Sequence, residues 1–497
     1  MSDIKTLSKN AIYNFSAYAI NVIVAFISIP IFAIYLGDVN YGLYFLFIGL
    51  IGYYSIFDFG FSQAVTKFVS EYSSNENNKE INSILTSSFV VNFSIGFIVC
   101  CVVLLSNDSI LNLLNVPTKS YQIANTSLKI TGITFLLSAI YSVFISAFQG
   151  LLRYDLTSKL NIFFSIFSNT AAIIILVLGF SLIEVMLNYL IFILICIVIS
   201  CHLLKKILPS FVFTRNNLIP TSKRLFNFSF FVFANKLSNL INTNFLQFFL
   251  SSFYSPAVVP YFMVPMKLVN LIQGAIANLS NVIFPYSSSL SAKYLSDSIK
   301  NLFIKSTKII FTFSFPLYLY LCIYSYEILS IWMGTDFAIK SQVVLIFLTL
   351  AYFLSSITIA PTNILYGMGH SKFIGILSLI LLPINLVLRI ILIKFYNYNG
   401  AAMAIFITSI AGPIFFFYVA KKFIYLNLID MKRIISKTIL SGMIVIVLFS
   451  ALKTTMVELK IINSIYINLF LGIITLSMYF LIFFKENKEL IVGVLKK

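Results

Sequence analysis

The chain has 497 residues, of which 60% are hydrophobic and only 10% charged, and its mean hydropathy is +0.98. Soluble chains carry about a quarter charged residues, so water-soluble, disordered and disulfide-framework classes are excluded and a polytopic membrane protein remains. The net charge of +18 does not point to nucleic acid, because the basic residues stand in short loops between apolar runs.

A helix needs ~20 apolar residues to cross the bilayer core, and only helices satisfy their backbone hydrogen bonds in a chain of this kind. In chain order the apolar runs predict fourteen spans, at 12–35, 43–68, 83–105, 123–148, 159–179, 182–204, 225–251, 261–285, 303–325, 341–366, 373–395, 401–424, 434–452 and 461–484. The stretch 1–10 is polar and the run after it is too long for a cleavable signal. With the N-terminus in the cytoplasm, 25 Lys and Arg fall on inner segments. The outer loops hold five, Lys119, Lys340, Lys394, Lys453 and Lys460. That asymmetry is the positive-inside pattern and predicts both termini in the cytoplasm.

The inner connection from Lys205 to Arg224, with Pro209 and Pro220, reads as a linker between two six-helix halves. Asn14-Phe15-Ser16 opens the first span and Asn227-Phe228-Ser229 the seventh. Gln149-Gly150 closes the fourth and Tyr366-Gly367 the tenth. These matches predict a parallel repeat. The expected organisation is a six-helix lobe over 1–215, a second over 216–430, and two further spans with a cytoplasmic tail over 431–497.

Once the 25 inner and five outer cations are set aside, four remain within spans: Lys129, Lys236, Lys267 and Arg389. Each costs ~2.5–3.5 kcal/mol at a helix centre on insertion scales. Snorkelling to the interface relieves those near span ends, and Lys236, near mid-span, has the least escape. Helical spacing groups them with polar residues. Lys267, Asn270, Gly274, Asn278 and Asn281 share one face. Asn235, Asn239 and Asn242 share another beside Lys236, and Asn14, Tyr18, Asn21, Ala25 and Ser28 a third. Ser55, Asp58, Ser62 and Thr66 form a stripe in the second span, and Asn385 precedes Arg389 by one turn. Such stripes serve either as interhelical contacts or as the lining of a water-filled cavity, and their place in the first two helices of each half favours the cavity. Asp58 is either an ion-pair partner, for instance of Lys236, or a proton-coupling site.

The cysteines (Cys100, Cys101, Cys196, Cys201 and Cys322) lie in apolar runs without metal-ligand spacing and read as hydrophobic residues. The two histidines, His202 and His370, have no carboxylates near them in sequence. No metal or cofactor is expected. Paired carboxylates, a Ser–His–Asp set and an acidic metal motif are not visible, and no outer loop is long enough to house an enzyme's chemistry.

The residues Asn14, Tyr35-Leu36-Gly37-Asp38, Tyr41-Gly42, Asp58-Phe59-Gly60-Phe61 and Ala64-Val65-Thr66-Lys67 resemble the Wzx-type O-antigen and polysaccharide repeat-unit flippases. That family belongs to the superfamily that also holds the MATE drug exporters and the lipid II flippase. The pattern covers roughly residues 10–72, and many relatives have Arg where Lys67 stands. The resemblance implies an all-α, MATE-like fold of two six-helix bundles in a V, with the first two helices of each lining a central cavity. It implies an undecaprenyl-diphosphate-linked oligosaccharide as substrate, moved from the inner to the outer leaflet of the bacterial plasma membrane. Membrane lipids and the pathway's polymerase and chain-length machinery are the other implied partners, with no nucleic acid and no enzymatic activity. The first span has no Arg, unlike lipid II flippases, and no Asp, unlike many drug/cation antiporters. A MATE-like drug/cation antiporter is the alternative, and it would want carboxylates in the cavity. On the flippase reading Lys236, Lys267, Arg389 and Lys129, with Asn14, Asn21, Asn235, Asn239, Asn242, Asn270 and Asn278, line the cavity.

Overall fold

A computed structural model describes residues 2–58, 60–74, 77–214, 220–223, 225–226, 246–280, 283–292, 295–427, 472–474, 476–477 and 479. Among the described residues the chain is helical, with no strand. It divides into two compact units, Met1–Pro260 and Tyr261–Lys497.

In the first unit, α1 runs Ser2–Gly52 and breaks at Gly37, whose φ of 69° suits a residue without a side chain. A short α2 (Tyr54–Phe57) and α3 (Phe61–Ser74) follow, then α4 (Asn78–Leu105), α5 (Asn107–Leu113) and α6 (Tyr121–Gly150). Next come α7 (Tyr154–Phe163), a π-helical turn, α8 (Asn169–Val177), α9 (Leu182–Ile207) and α10 (Leu246–Phe253). The long α6 packs against α4, α9 and α3. One core gathers Phe61, Val65 and Phe68 of α3, Ile84 and Leu85 of α4, Phe144 and Phe148 of α6 and Leu204 of α9. Gly150 lets α6 close onto α3, because a Cβ there would stand 2.8 Å from the Val69 side chain and 2.9 Å from the Thr66 carbonyl oxygen.

The second unit begins within α11 (Val259–Ser280). It continues with α12 (Ile283–Ala292), α13 (Ser296–Ile323), α14 (Ser325–Met333), α15 (Thr335–Ser356) and α16 (Ile359–Gly367). It then runs through α17 (Ser371–Ser409), broken at Asn397, and α18 (Ala411–Lys422). α15 packs along α13, α14 and α17, and α16 packs on α12. Val344, Leu345 and Leu348 of α15 are fully buried.

Large apolar side chains project from both units. Leu105, Val198, Leu379 and Ile414 are 87%, 67%, 62% and 67% exposed. That dense an outward apolar surface belongs against lipid rather than water. Nine helices among the described residues are long and apolar enough to cross a membrane. They contain most of the expected spans, with 373–395 and most of 401–424 inside the one long stretch Lys372–Lys422. The close pair 159–179 and 182–204 is separated by Gly179 (φ 85°) and a capping box, in which Ser181 N–H donates to Glu184 Oε2 at 2.8 Å. The second expected span, 43–68, is not continuous: it breaks at Tyr53 and again at Asp58 and at Gly60, which takes φ 82°. Most of 225–251 and of 461–484, and all of 434–452, lie outside the described residues, as does the Asn227-Phe228-Ser229 match.

The match of Gln149-Gly150 with Tyr366-Gly367 extends to the backbone that follows each. After α6, Leu151, Leu152 and Arg153 donate to the carbonyls of Ala147, Gln149 and Phe148. After α16, Met368, Gly369 and His370 donate to those of Ile364, Tyr366 and Leu365, a constant 217 residues on. Leu152 and Gly369 share a positive φ, 57° and 83°. The residue before α4, Asn77 (φ −88°, ψ 76°), has its counterpart in Leu295 before α13 (φ −89°, ψ 73°), and the ends of those helices match too, at Ser106 and Tyr324. The two stretches share this sequence of caps and turns. Compactness divides the chain at Pro260.

Candidate functional site

In the first unit, Asp58 sits where the second span breaks. It is 1% exposed. The Ser62 N–H points at both its carboxylate oxygens at 3.1 Å, so Asp58 satisfies an otherwise orphaned donor at the start of α3. The Tyr54 hydroxyl lies one turn before it and reaches Asp58 Oδ1 at 3.0 Å and Asn92 Oδ1 of α4 at 2.8 Å, with Ser142 Oγ of α6 in close contact. Asn92 Nδ2 donates to the Ser88 carbonyl at 3.0 Å, which fixes its oxygen toward Tyr54. Thr66 Oγ1 donates to its own helix at Ser62 O (2.9 Å) and lies 3.3 Å from Ser146 O of α6. This stripe of the second span is therefore turned into the packed unit, tying α2 and α3 to α4 and α6. The sequence reading missed Tyr54, although its spacing of four from Asp58 marks a shared face.

On α1, Asn21 is half-buried, and its Oδ1 is buried without a hydrogen bond. Ser28 is occupied by its own helix, donating to Val24 O at 2.7 Å. Asn14 lies on the same helix, with its side chain outside the described set. Lys129 is exposed on α6, on a stripe it shares with Gln122, Thr126 and the exposed Ile133. Lys236, Asn235, Asn239 and Asn242 lie outside the described residues.

In the second unit, α11 carries Lys267 and Asn270, both exposed, while Leu268 and Val269 between them are buried. Lys267 keeps accessible surface. Among the described residues it makes no hydrogen bond or ion pair, and α11 contains no Asp or Glu. Asn278 lies two turns past Asn270, with its side chain outside the described set.

Arg389 of α17 is buried, at 4% exposed. Asn385 Oδ1, one turn earlier, is buried and makes no hydrogen bond. Around these residues stand groups that no sequence spacing announced. Tyr318 of α13 donates to Gln273 Oε1 at 2.8 Å, and Tyr352 donates to Met266 Sδ at 3.4 Å. The structure thus brings Lys267, Asn270, Gln273, Tyr352 and Arg389 into one unit. It places Asp58 and Asn21 in the other.

The profile of a family described as "Polysaccharide biosynthesis protein" matches residues 7–291. A Shigella flexneri protein named "Putative O-antigen transporter" is 24% identical over 409 residues, covering 80% of this chain and 94% of its own. A structure of the lipid II flippase MurJ in an inward closed conformation superposes with a TM-score of 0.71 at 20% identity, over 96% of this chain and 99% of that one. An inward-facing MATE-family multidrug transporter superposes with a TM-score of 0.63 at 14% identity, over 83% and 94%. At such identities the structural likeness establishes the fold.

Proposed function

The chain belongs to the polysaccharide biosynthesis protein family, and from that premise we propose that it is a flippase for undecaprenyl-diphosphate-linked oligosaccharide repeat units. It would carry O-antigen or capsule units from the inner to the outer leaflet of the bacterial plasma membrane, with both of its own termini in the cytoplasm. The observation that carries this reading is Lys267, an accessible ammonium beside Asn270 and without a carboxylate on its helix.

The physics runs from the cargo to the wall. A diphosphate and a cluster of sugar hydroxyls cannot enter hydrocarbon, since desolvating them without compensation costs several kcal/mol per polar group. Amide side chains such as Asn21, Asn270 and Asn278 replace water's hydrogen bonds to hydroxyls. Lys267, with Arg389 and Lys236, offsets the anionic charge. The prenyl chain stays in lipid throughout. Alternating access then exposes the polar faces to one side and the other in turn. An exporter of cationic drugs would need the opposite charge on α11. The polymerase and chain-length machinery of the same pathway are the expected protein neighbours.

The test is surface polysaccharide in the native host. Lys267→Ala and Lys236→Ala should each abolish surface polymer while leaving the amount of protein in the membrane unchanged. Wild-type polymer in both variants would remove the cationic role.

A further inference from the structure

After α9 the chain runs without helix from Leu208 to Thr214 and is strapped across the start of α4. Asn82 Nδ2 of α4 donates to Ser210 O at 2.8 Å, and one turn further on Thr86 Oγ1 accepts the Thr214 N–H at 3.2 Å. Ser83 Oγ and Thr221 Oγ1 stand 3.1 Å apart. Leu208 and Leu225 enter the core beside Ile84 and Leu85 of α4. Held in this way, the strap turns Val212 and Phe213 outward, 62% and 65% exposed. The Phe213 ring is propped on Phe211 and Phe89, with centroids 5.1 and 5.7 Å away. The depth of the strap follows from α4, whose 28 residues make a rod of about 42 Å. The hydrocarbon core is ~30 Å thick, so about one turn emerges at each end and Asn82 and Thr86 lie at the headgroup boundary. Irregular backbone is not tolerated against hydrocarbon. At the boundary it is, and exposed apolar side chains there bury their surface among the upper acyl chains. Lys205 and Lys206 are exposed in the last turn of α9, which leads into the strap. Residues 205–226 hold five cations, Lys205, Lys206, Arg215, Lys223 and Arg224, and no Asp or Glu. Basic clusters of that size beside a span match anionic lipid.

We propose that the strap and the end of α9 form a docking surface for anionic phospholipid, in which Val212 and Phe213 dip into the leaflet while Lys205 and Lys206 hold its phosphate headgroups. With both termini in the cytoplasm, as proposed above, that leaflet is the inner one. Each lysine near such a surface favours an anionic neighbour roughly fivefold, and the attraction is screened by salt. None of these residues is assigned to the cargo, so the inference stands apart from the flippase reading.

The experiment uses the full-length protein with its single tryptophan removed by Trp332→Phe, reconstituted in vesicles of equal parts phosphatidylcholine and phosphatidylglycerol. Phe213→Trp then places one indole on the strap, and Val212→Trp serves as a second reporter where the first fails to fold. Bromine is carried on the acyl chains of one lipid or of the other. The indole should emit to the blue of its position in water and be quenched more strongly by brominated phosphatidylglycerol than by brominated phosphatidylcholine. Lys205→Gln with Lys206→Gln should reduce that preference severalfold and leave quenching by phosphatidylcholine in place, and raising the salt concentration should do the same. Quenching by aqueous acrylamide and by neither brominated lipid would overturn the proposal, since the strap then faces water or a protein partner. Equal quenching by the two lipids at low salt would overturn it as well, because the lysines then select no headgroup.

Discussion

Leu152 holds a left-handed backbone, φ 57°, that costs an ordinary L-residue ~1–2 kcal/mol. Its counterpart 217 residues later is Gly369, which bears the same conformation freely. Leu152 is 54% exposed, so little burial offsets its strain. Leu152→Gly should therefore stabilise the protein by up to roughly 1 kcal/mol, after the extra entropy of an unfolded glycine is counted. Gly369→Leu should destabilise it by a similar amount. Opposite shifts in the thermal unfolding midpoints of the two purified variants check the pair. Tyr54 gives a second test at this scale. Tyr54→Phe removes the one buried hydroxyl that Asn92 Oδ1 and Asp58 Oδ1 share, a loss of about 1–3 kcal/mol by unfolding measurements. The polar faces of α1 and α11 were readable from a period of 3.6, but the partners of those faces were not. Tyr352 meets Met266 across 86 residues of chain, and no local spacing records such a meeting.

At the scale of elements, the Tyr41-Gly42 motif acquires a cause. A Cβ on Gly42 would stand 1.8 Å from the Pro256 carbonyl oxygen, so α1 can lie against the turn at Pro256–Val258 only because residue 42 has no side chain. The same stretch is held by Ser251 Oγ, which donates to Leu114 O at 2.6 Å, and by Asn115 Nδ2, which donates to Ser252 O. Gly42→Ala should force the two backbones apart and cost roughly 1–3 kcal/mol as overpacking does. Gly49→Ala should cost less, because its Cβ would meet only the flexible end of Gln247. Unfolding midpoints that rank the two variants the other way would contradict this packing. The break of the second span at Asp58 was hidden for a related reason. A long apolar run specifies depth in the membrane, whereas helix continuity was decided by a carboxylate that finds Ser62 N–H and Tyr54 in a packed interior.

For the whole molecule, charge placement predicts topology. A green fluorescent protein fused after Lys497 should fluoresce. Alkaline phosphatase fused at Lys119 should be active, and the same enzyme fused at Arg153 inactive. An active fusion at Arg153 would reverse the assignment. One pair of helix ends, Gln149-Gly150 and Tyr366-Gly367, matches in sequence. The hydrogen bonds after both ends follow one pattern.

The sequence by itself determined that this protein lives in a membrane as a bundle of helices, and which helix faces are polar. Both follow from transfer of side chains out of water and from a fixed helical period, which are local properties. Tertiary structure decided which of those faces are consumed by packing and which stay accessible. Asp58 is enclosed and Lys267 is open because that outcome depends on which neighbours close over a residue. Those neighbours come from helices distant along the chain.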